Sequence, residues 1–228
     1  MNLSLEMEPV TVDFRGFTLQ LMPERALWIK ELGILLIADL HFGKATHFRK
    51  SGIPIPEAVH DLDFQTLAKL HDTLSPTHTY FLGDLFHSTW NDKWDLLVSF
   101  LTTFPETQFH LVKGNHDILP SHFYSQSILK VHDKPLQLAH FVFSHEPMEQ
   151  VSEGVLNICG HIHPGILLRG PAKQSLRIPC FHYRERRLIL PSFGNFTGLA
   201  LMGQKKNDLI WGVTEKQVIS ILSALSIG

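Results

Sequence analysis

The chain has little cysteine: Cys159 and Cys180 are the only two in 228 residues. They supply no disulfide framework and no CxxC pair. The fold must therefore be held by its core, and a reducing cytoplasm is the expected setting. Nor is there a run of about 18 apolar residues, so no membrane span and no membrane partner are expected. The opening, MNLSLEMEPV, carries acids and no basic segment, which argues against a secretory signal. Charge is sparse too, at 18% of residues with a formal net charge of −2. That balance argues against a broad nucleic-acid-coating surface and leaves a local one open. An apolar fraction of 44% describes a globular chain. At this length roughly 70% of the unfolded surface can be buried. With no low-complexity linker and no internal repeat, one domain over residues 1–228 is expected.

What the sequence has in excess is histidine, fifteen residues in all. Their placement follows the order of elements. Alternating segments at 9–22 and 26–30 predict short strands around RG and PER turns, followed by a strand at 33–38. The period then changes. Residues 56–74 predict a helix, with Pro56 near its start and Val59, Leu62, Leu67 and Leu70 at near-helical spacing. A strand at 78–84, a helix at 90–104 stopped by Pro105 and a strand at 108–114 continue the alternation. Such β-α-β-α-β order implies right-handed crossovers and a largely parallel sheet. Beyond it, strands are expected at 127–132, 136–145, 155–159, 176–183, 186–191, 199–202, 208–213 and 217–222, with 161–175 as loop. Helix is sparse there, so a second sheet packed on the first is expected, an α/β sandwich.

Three of the predicted parallel strands end alike, in ADLH (38–41), GDLFH (83–87) and GNHD (114–117). Ligands of open α/β sheets bind outside the carboxyl ends of the strands. These ends therefore deliver Asp39, His41, Asp84, His87, Asn115 and His116 to one crevice. The spacing of two in DLH puts both side chains on one side of an extended backbone. Two later apolar runs end in FSHEP, with His145, and in CGHIHPG, with His161 and His163. Carboxylate, amide and imidazole donors suit a divalent cation. Asp39, His41, Asp84, Asn115, His145, His161 and His163 are too many for one ion and suit two sharing a bridging carboxylate. A lone histidine at a strand end is more often a hydrogen-bonded core residue, and Asp or Asn beside Gly is usually a turn. Five such motifs in one order are a stronger signal than any of them alone.

These motifs, over roughly residues 33–196, resemble those of the calcineurin-like metallophosphoesterases. The resemblance implies a four-layer αββα sandwich of two mixed β-sheets. It implies that one metal takes Asp39, His41, Asp84 and His163, and the other Asp84, Asn115, His145 and His161, with Asp84 bridging. His116 matches the family's catalytic histidine, and Asp117 the residue that follows it, a candidate to orient it. The segment DLHFGKATHFRKSGIPIP (39–56) is similar to the opening signature of bacterial ligase-associated DNA damage response endonucleases. GDLFH resembles a motif of a double-strand-break repair nuclease, which makes His87 a second catalytic candidate. The implied activity is phosphodiester hydrolysis, as a DNA repair endonuclease working with an ATP-dependent DNA ligase and a helicase. Manganese is the expected metal, with iron, zinc or magnesium as alternatives. A small phosphodiester, such as a cyclic nucleotide, or a phosphomonoester is the alternative substrate. A non-catalytic scaffold is the third reading, and it predicts lost ligands that are present here.

Other residues divide more evenly. Lys44, Arg49 and Lys50 are candidates for a nucleic-acid backbone or a solvated face, and His47 reads as surface. Between 169 and 187, Arg169, Lys173, Arg177, Arg184, Arg186 and Arg187 face only Glu185, a candidate strand groove or an exposed hairpin. Phe86, Trp90 and Phe196 are candidates to stack bases, with core packing the commoner role. Asn195 is a ligand contact or a turn residue. His60, His71, His78, His110, His122, His132, His140 and His182 have no motif and read as structural or surface residues.

Overall fold

A computed structural model describes residues 9–43, 58–86, 92–170, 174–195, 197–222 and 227. The first sheet begins with β1 (Val10–Phe14) and β2 (Phe17–Leu21), a hairpin closed by Arg15 and Gly16. Both turn residues have positive φ, 51° and 85°, as a tight right-twisted hairpin requires. Next come β3 (Leu27–Ile29), a 3₁₀ turn at Lys30–Leu32 and β4 (Ile34–Ile37). Helix α1 (Ala58–Leu74) leads to β5 (His78–Leu82), and α2 (Asp92–Leu101) to β6 (Gln108–Val112). A short α3 (Ser121–Ser125) precedes β7 (Lys130–His132). Strand order is β1 to β7 in sequence, antiparallel through β4 and parallel from β4 to β7.

The second sheet holds β8 (Leu136–Leu138), β9 (Phe141–Phe143), β10 (Leu156–Cys159), β11 (Pro164–Arg169), β12 (Ser175–Arg184), β13 (Arg187–Ile189), β14 (Ala200–Leu201), β15 (Leu209–Val213) and β16 (Val218–Leu222). It too is mixed: β10 runs parallel to both β9 and β13, while β12 is antiparallel to β11, β13 and β15.

Alternation assigns the faces. Ile34, Leu36, Ala38, Tyr80, Leu82 and Val112 point inward and meet Phe141, Phe143, Ile158, Phe181 and Trp211 of the second sheet. Leu35, Ile37, Phe81, Phe109 and Leu111 point outward onto Leu67 and Leu70 of α1 and Trp94, Leu97 and Leu101 of α2. Central strands buried on both faces read as continuous apolar runs, as β4 and β5 do. Each such side chain stabilises the fold by about 1.5–3 kcal/mol through burial. The two expected mixed sheets are both present. Among the described residues the helical layer covers the first sheet.

Three expectations need correction. Residues 136–145 are a hairpin, not one strand: Leu136 pairs with Phe143, and Ala139 turns the chain at φ 50°. The supposed loop at 161–175 contains β11, whose alternation is hidden because Ile166 is buried while Leu167 is exposed. Residues 127–132 form a strand only from Lys130, and it joins the first sheet beside β6 rather than the second.

Three of the unassigned histidines form a chain across the inner face. His78 Nδ1 lies 3.1 Å from His110 Nε2, and His110 Nδ1 lies 3.1 Å from His132 Nε2. Tyr80 stacks on His110 with centroids 4.2 Å apart. Burial, and then the charges of His78, His132 and Lys130, push the His110 pKa down to about 4. An unfolded histidine titrates near 6.5, so the unfolded chain binds this proton more readily. The contribution of neutral His110 is complete above pH ~6.5 and is lost as pH falls towards 4. Thermal melts between pH 7 and pH 4 should show the midpoint dropping, and His110→Phe should flatten that slope.

Candidate metal centre

The parallel strands β4, β5 and β6 release their chains at one end of the sheet. The pairing of β4 and β5 continues through the release point. The N–H of Asp39 donates to the Gly83 carbonyl (3.3 Å), that of His41 to Asp84 (2.8 Å) and that of Phe42 to Leu85 (2.9 Å). The backbone there is not extended, which corrects the simple argument from spacing. Asp39, His41 and Asp84 stand at φ 54°, 49° and 49°, and His161 and His163 at 68° and 52°. Left-handed residues alternate with ordinary ones. This turns Asp39 and His41 to the same crevice while Leu40 goes into the core. A non-glycine residue in this region costs on the order of 1–3 kcal/mol, and such residues cluster at functional sites.

The carboxylates sit at the centre. Asp84 Oδ2 lies 3.7 Å from His41 Nε2, and its Oδ1 lies 3.5 Å from His145 Nε2. Asp39 Oδ1 is 3.5 Å from His163 Nε2, and His163 Nε2 is 3.2 Å from His41 Nε2. His145 Nε2 also meets Asn115 Oδ1 and His161 Nδ1, both at 3.0 Å. Two clusters spaced to hold a cation result among the described residues, Asp39–His41–His163 and Asp39–Asp84–His145. In the second, Asp39 approaches His145 through Nδ1 at 3.8 Å. That nitrogen is 3.0 Å from the Leu82 carbonyl, to which its N–H donates. The lone pair is therefore on Nε2, facing Asp84, Asn115 and His161. All seven expected ligands are thus brought together.

Does this set fit cations? Asp39 Oδ1 is buried with no hydrogen-bond partner, while Oδ2 accepts the His161 N–H at 2.8 Å. A buried carboxylate oxygen left bare is costly unless something positive meets it. Oxygen and imidazole donors suit hard to borderline divalent ions. Cys159 does not compete: it is buried, and burial pushes its thiol pKa up. The residues fit a pair of divalent cations.

Glycines make the convergence possible. Gly83 has φ 76°, and a Cβ there would overlap the His145 ring. A Cβ on Gly160 would lie 2.5 Å from Asp39 Oδ2. Asp117 serves the backbone rather than His116. Its Oδ1 accepts the N–H of Leu85 (3.0 Å) and Phe86 (3.3 Å), and its Oδ2 that of Gly114 (2.8 Å). It thereby ties the loop carrying Asp84 to the loop carrying Asn115. Burial raises its pKa to about 6 against the pull of those donors. The His116 N–H donates to Asp84 Oδ1 at 3.0 Å, and its ring lies 6.0 Å from that of His41.

Sequence reasoning missed Ser192, whose hydroxyl donates to the Asp39 carbonyl at 2.9 Å; nothing in PSFGN marks it as a support. The basic segment is largely engaged within the fold. Arg184 binds Asp208 through two nitrogens at 2.7 and 2.6 Å, and holds that carboxyl well below its usual range. Arg186 donates to the Val151 carbonyl, and Arg187 to Glu185 and to the Met148 and Glu149 carbonyls. Arg169 and Arg177 are exposed on the β11–β12 hairpin without hydrogen bonds or ion pairs among the described residues. At about 3.3 Å per strand residue they lie roughly 13–20 Å beyond His163. Phe86 is fully buried and packs on Trp94, so it stacks no base. Lys44, His47, Arg49, Lys50, His87, Trp90, Lys173 and Phe196 lie outside the described residues.

Gly83→Ala should displace His145 and weaken manganese binding by about tenfold or more, as loss of ligand support typically does. Calorimetric titration checks this, with circular dichroism to confirm the fold.

The model of the calcineurin-like phosphoesterase family matches residues 32–209. Among solved structures, the nuclease MPE of Pseudomonas putida is similar, with 24% identity over 94% of this chain and 100% of that one, and a TM-score of 0.74. Yfce, a phosphoesterase from E. coli, aligns at 13% identity over 83% of this chain and 98% of that one, with a TM-score of 0.47. No curated protein matches. The family's members bind divalent metals and hydrolyse phosphate esters, and the family model spans well over half of this chain, clusters included. The chain belongs to the calcineurin-like phosphoesterases.

Proposed function

We propose that the chain hydrolyses phosphodiester bonds of DNA at a pair of divalent cations, as an endonuclease of DNA repair. The observation that carries the reading is the position of Asp84, whose two carboxylate oxygens face His41 on one side and His145 on the other. A carboxylate placed between two ligand sets suits a bridge between two ions. One ion would be held by Asp39, His41, Asp84 and His163, the other by Asp84, Asn115, His145 and His161. Cations bound there supply Lewis-acid activation of water and of the phosphoryl oxygens. Manganese is our choice among them.

The chain's own groups do the rest. Asp39 is held through its backbone carbonyl and one carboxylate oxygen, which leaves Oδ1 free to bind without rearrangement. Such preorganisation is where most of the electrostatic benefit lies. His116, whose main chain is fixed by Asp84, is proposed to give a proton to the departing oxygen. His87 is proposed as a second histidine in that role. Arg169 and Arg177, with Lys44 and Arg49, are proposed to hold the DNA backbone away from the scissile bond. The likeness to a nuclease of the same fold supports this substrate, as does the opening signature of the ligase-associated subfamily. Cytoplasmic work beside an ATP-dependent DNA ligase and a helicase belongs to the same proposal.

A second reading keeps the chemistry and replaces DNA with a small phosphodiester or a phosphomonoester. It is favoured by the engagement of Arg184, Arg186 and Arg187 within the fold. Parallel assays on plasmid, single-stranded DNA and bis-p-nitrophenyl phosphate separate the two. Cutting of the small diester with the plasmid intact would end the nuclease reading.

Two substitutions test the roles. Asp84→Ala should abolish binding of both ions, read by metal analysis of the purified protein. His116→Ala should keep both ions and lower turnover by about 10²–10⁴-fold, the usual weight of general acid catalysis. Equal metal loss in the two variants would show that His116 is a ligand or a support instead.

A further inference from the structure

Beside the metal centre lies a cavity of about 210 Å³ whose walls include Glu24, Arg25, Asp63, Phe193, Asn195 and Glu215. That is room for roughly seven waters, or one nucleobase. Its place is set by topology. The turn joining β2 to β3 lies at the end of the sheet where β4 releases Asp39, because Leu27 pairs with Leu36. Phe193 and Asn195 flank Gly194, whose N–H donates to the Asp39 carbonyl at 3.2 Å. One short loop thus walls the cavity on one side and grips a candidate ligand on the other.

Three of these wall residues bear on a ligand. Arg25 takes φ 61° as the last residue of the β2–β3 turn, which its N–H closes onto the Met22 carbonyl at 3.0 Å. Its guanidinium is partly buried, yet it has no hydrogen bond and no ion pair within 4.0 Å among the described residues. Its N–H donors are open to solvent and so available to a ligand in the cavity. Glu24 has a side chain only 8% exposed; Lys69 binds its Oε1 at 3.0 Å, while Oε2 is buried with no partner. Asp63, buried in α1, accepts from Asn195 Nδ2 at 2.7 Å and interacts with the Asn195 main-chain N–H; burial raises its pKa to about 6 against both. Arg25 and Asp63 line the same cavity without an ion pair within 4.0 Å of each other among the described residues.

The chemistry narrows what a ligand there can be. A phosphate would face the carboxylates of Glu24, Asp63 and Glu215, and a metal ion would face Arg25. A neutral ring with two acceptors beside two donors satisfies both sides. Guanine has this edge: O6 and N7 accept from an arginine fork, and N1–H and the 2-amino group donate to a carboxylate. We propose that the Arg25–Asp63 cavity reads a guanine of the nucleic-acid substrate next to the bond that is cut. This rests on the nuclease reading above, and it makes Arg25 and Asp63 specificity residues.

The test begins with nucleosides, which carry no phosphate for the metal centre. Equilibrium dialysis of the manganese-loaded full chain compares guanosine with inosine, which lacks the 2-amino group, and adenosine. Guanosine should bind about fivefold more tightly or better; Asp63→Asn should erase most of the preference over inosine, and Arg25→Lys most of that over adenosine. On single-stranded oligonucleotides carrying one guanine at varied positions, cuts should keep a fixed offset from it. Equal binding of the three nucleosides by the unsubstituted protein overturns the proposal, however the variants fold. DNA cleavage indifferent to guanine overturns it too, with the nuclease reading intact. Hydrolysis of the small diester alone removes the nuclease reading; guanosine preference would then still support the pocket, and its absence would overturn it.

Discussion

One buried carboxylate joins the two halves of this molecule. Asp39 leaves the first sheet at the end of β4, and its Oδ2 accepts the N–H of His161, which leaves the second sheet at the end of β10. Its carbonyl is held by Ser192 and Gly194, from the loop after β13. Three segments distant in sequence are therefore placed by one residue with no solvent exposure. A charge so placed is tolerable only with good partners. The partners on one side are protein; on the other, Oδ1 faces the imidazole of His163 across 3.5 Å and leaves space for an ion.

The sandwich explains why such a junction exists. Both sheets bury their inner faces in one apolar layer containing Phe141, Phe143, Phe181 and Trp211. That layer sets the distance between the sheets and so the distance between the loops at their ends. β4, β5 and β6 supply Asp39, Asp84 and Asn115, while the loops after β9 and β10 supply His145, His161 and His163. Asp117 then fastens two of the loops through three backbone donors. The chemistry is carried by loops, but their positions are determined by packing well away from the ions.

Much of this was legible beforehand because the parallel strands repeat one device. Apolar runs ending in Asp, Asn or His mark both the strand and its release point, so ADLH, GDLFH and GNHD could be placed together without coordinates. The left-handed backbone at His41 and His163 was not legible, since only glycine advertises positive φ in a sequence. Strand β11 was missed because its exposed Leu167 is as apolar as its buried neighbour Ile166, which hides the alternation. The basic segment misled in the opposite way. Arg184 looks available in sequence, yet its partner Asp208 lies 24 residues on, across a strand pair that composition cannot reveal. Arg25 and Asp63 belong to no motif at all, and only the folded chain puts them on one wall.

Five ligand-bearing positions occupy backbone conformations that an ordinary residue resists, and none of the five is glycine. Glycine at any of them would relieve that local tension, since it enters this region freely. Selection for heat resistance alone would therefore favour erosion of the centre, one ligand at a time. A lineage that retains all five at these angles is under pressure from something other than thermal robustness.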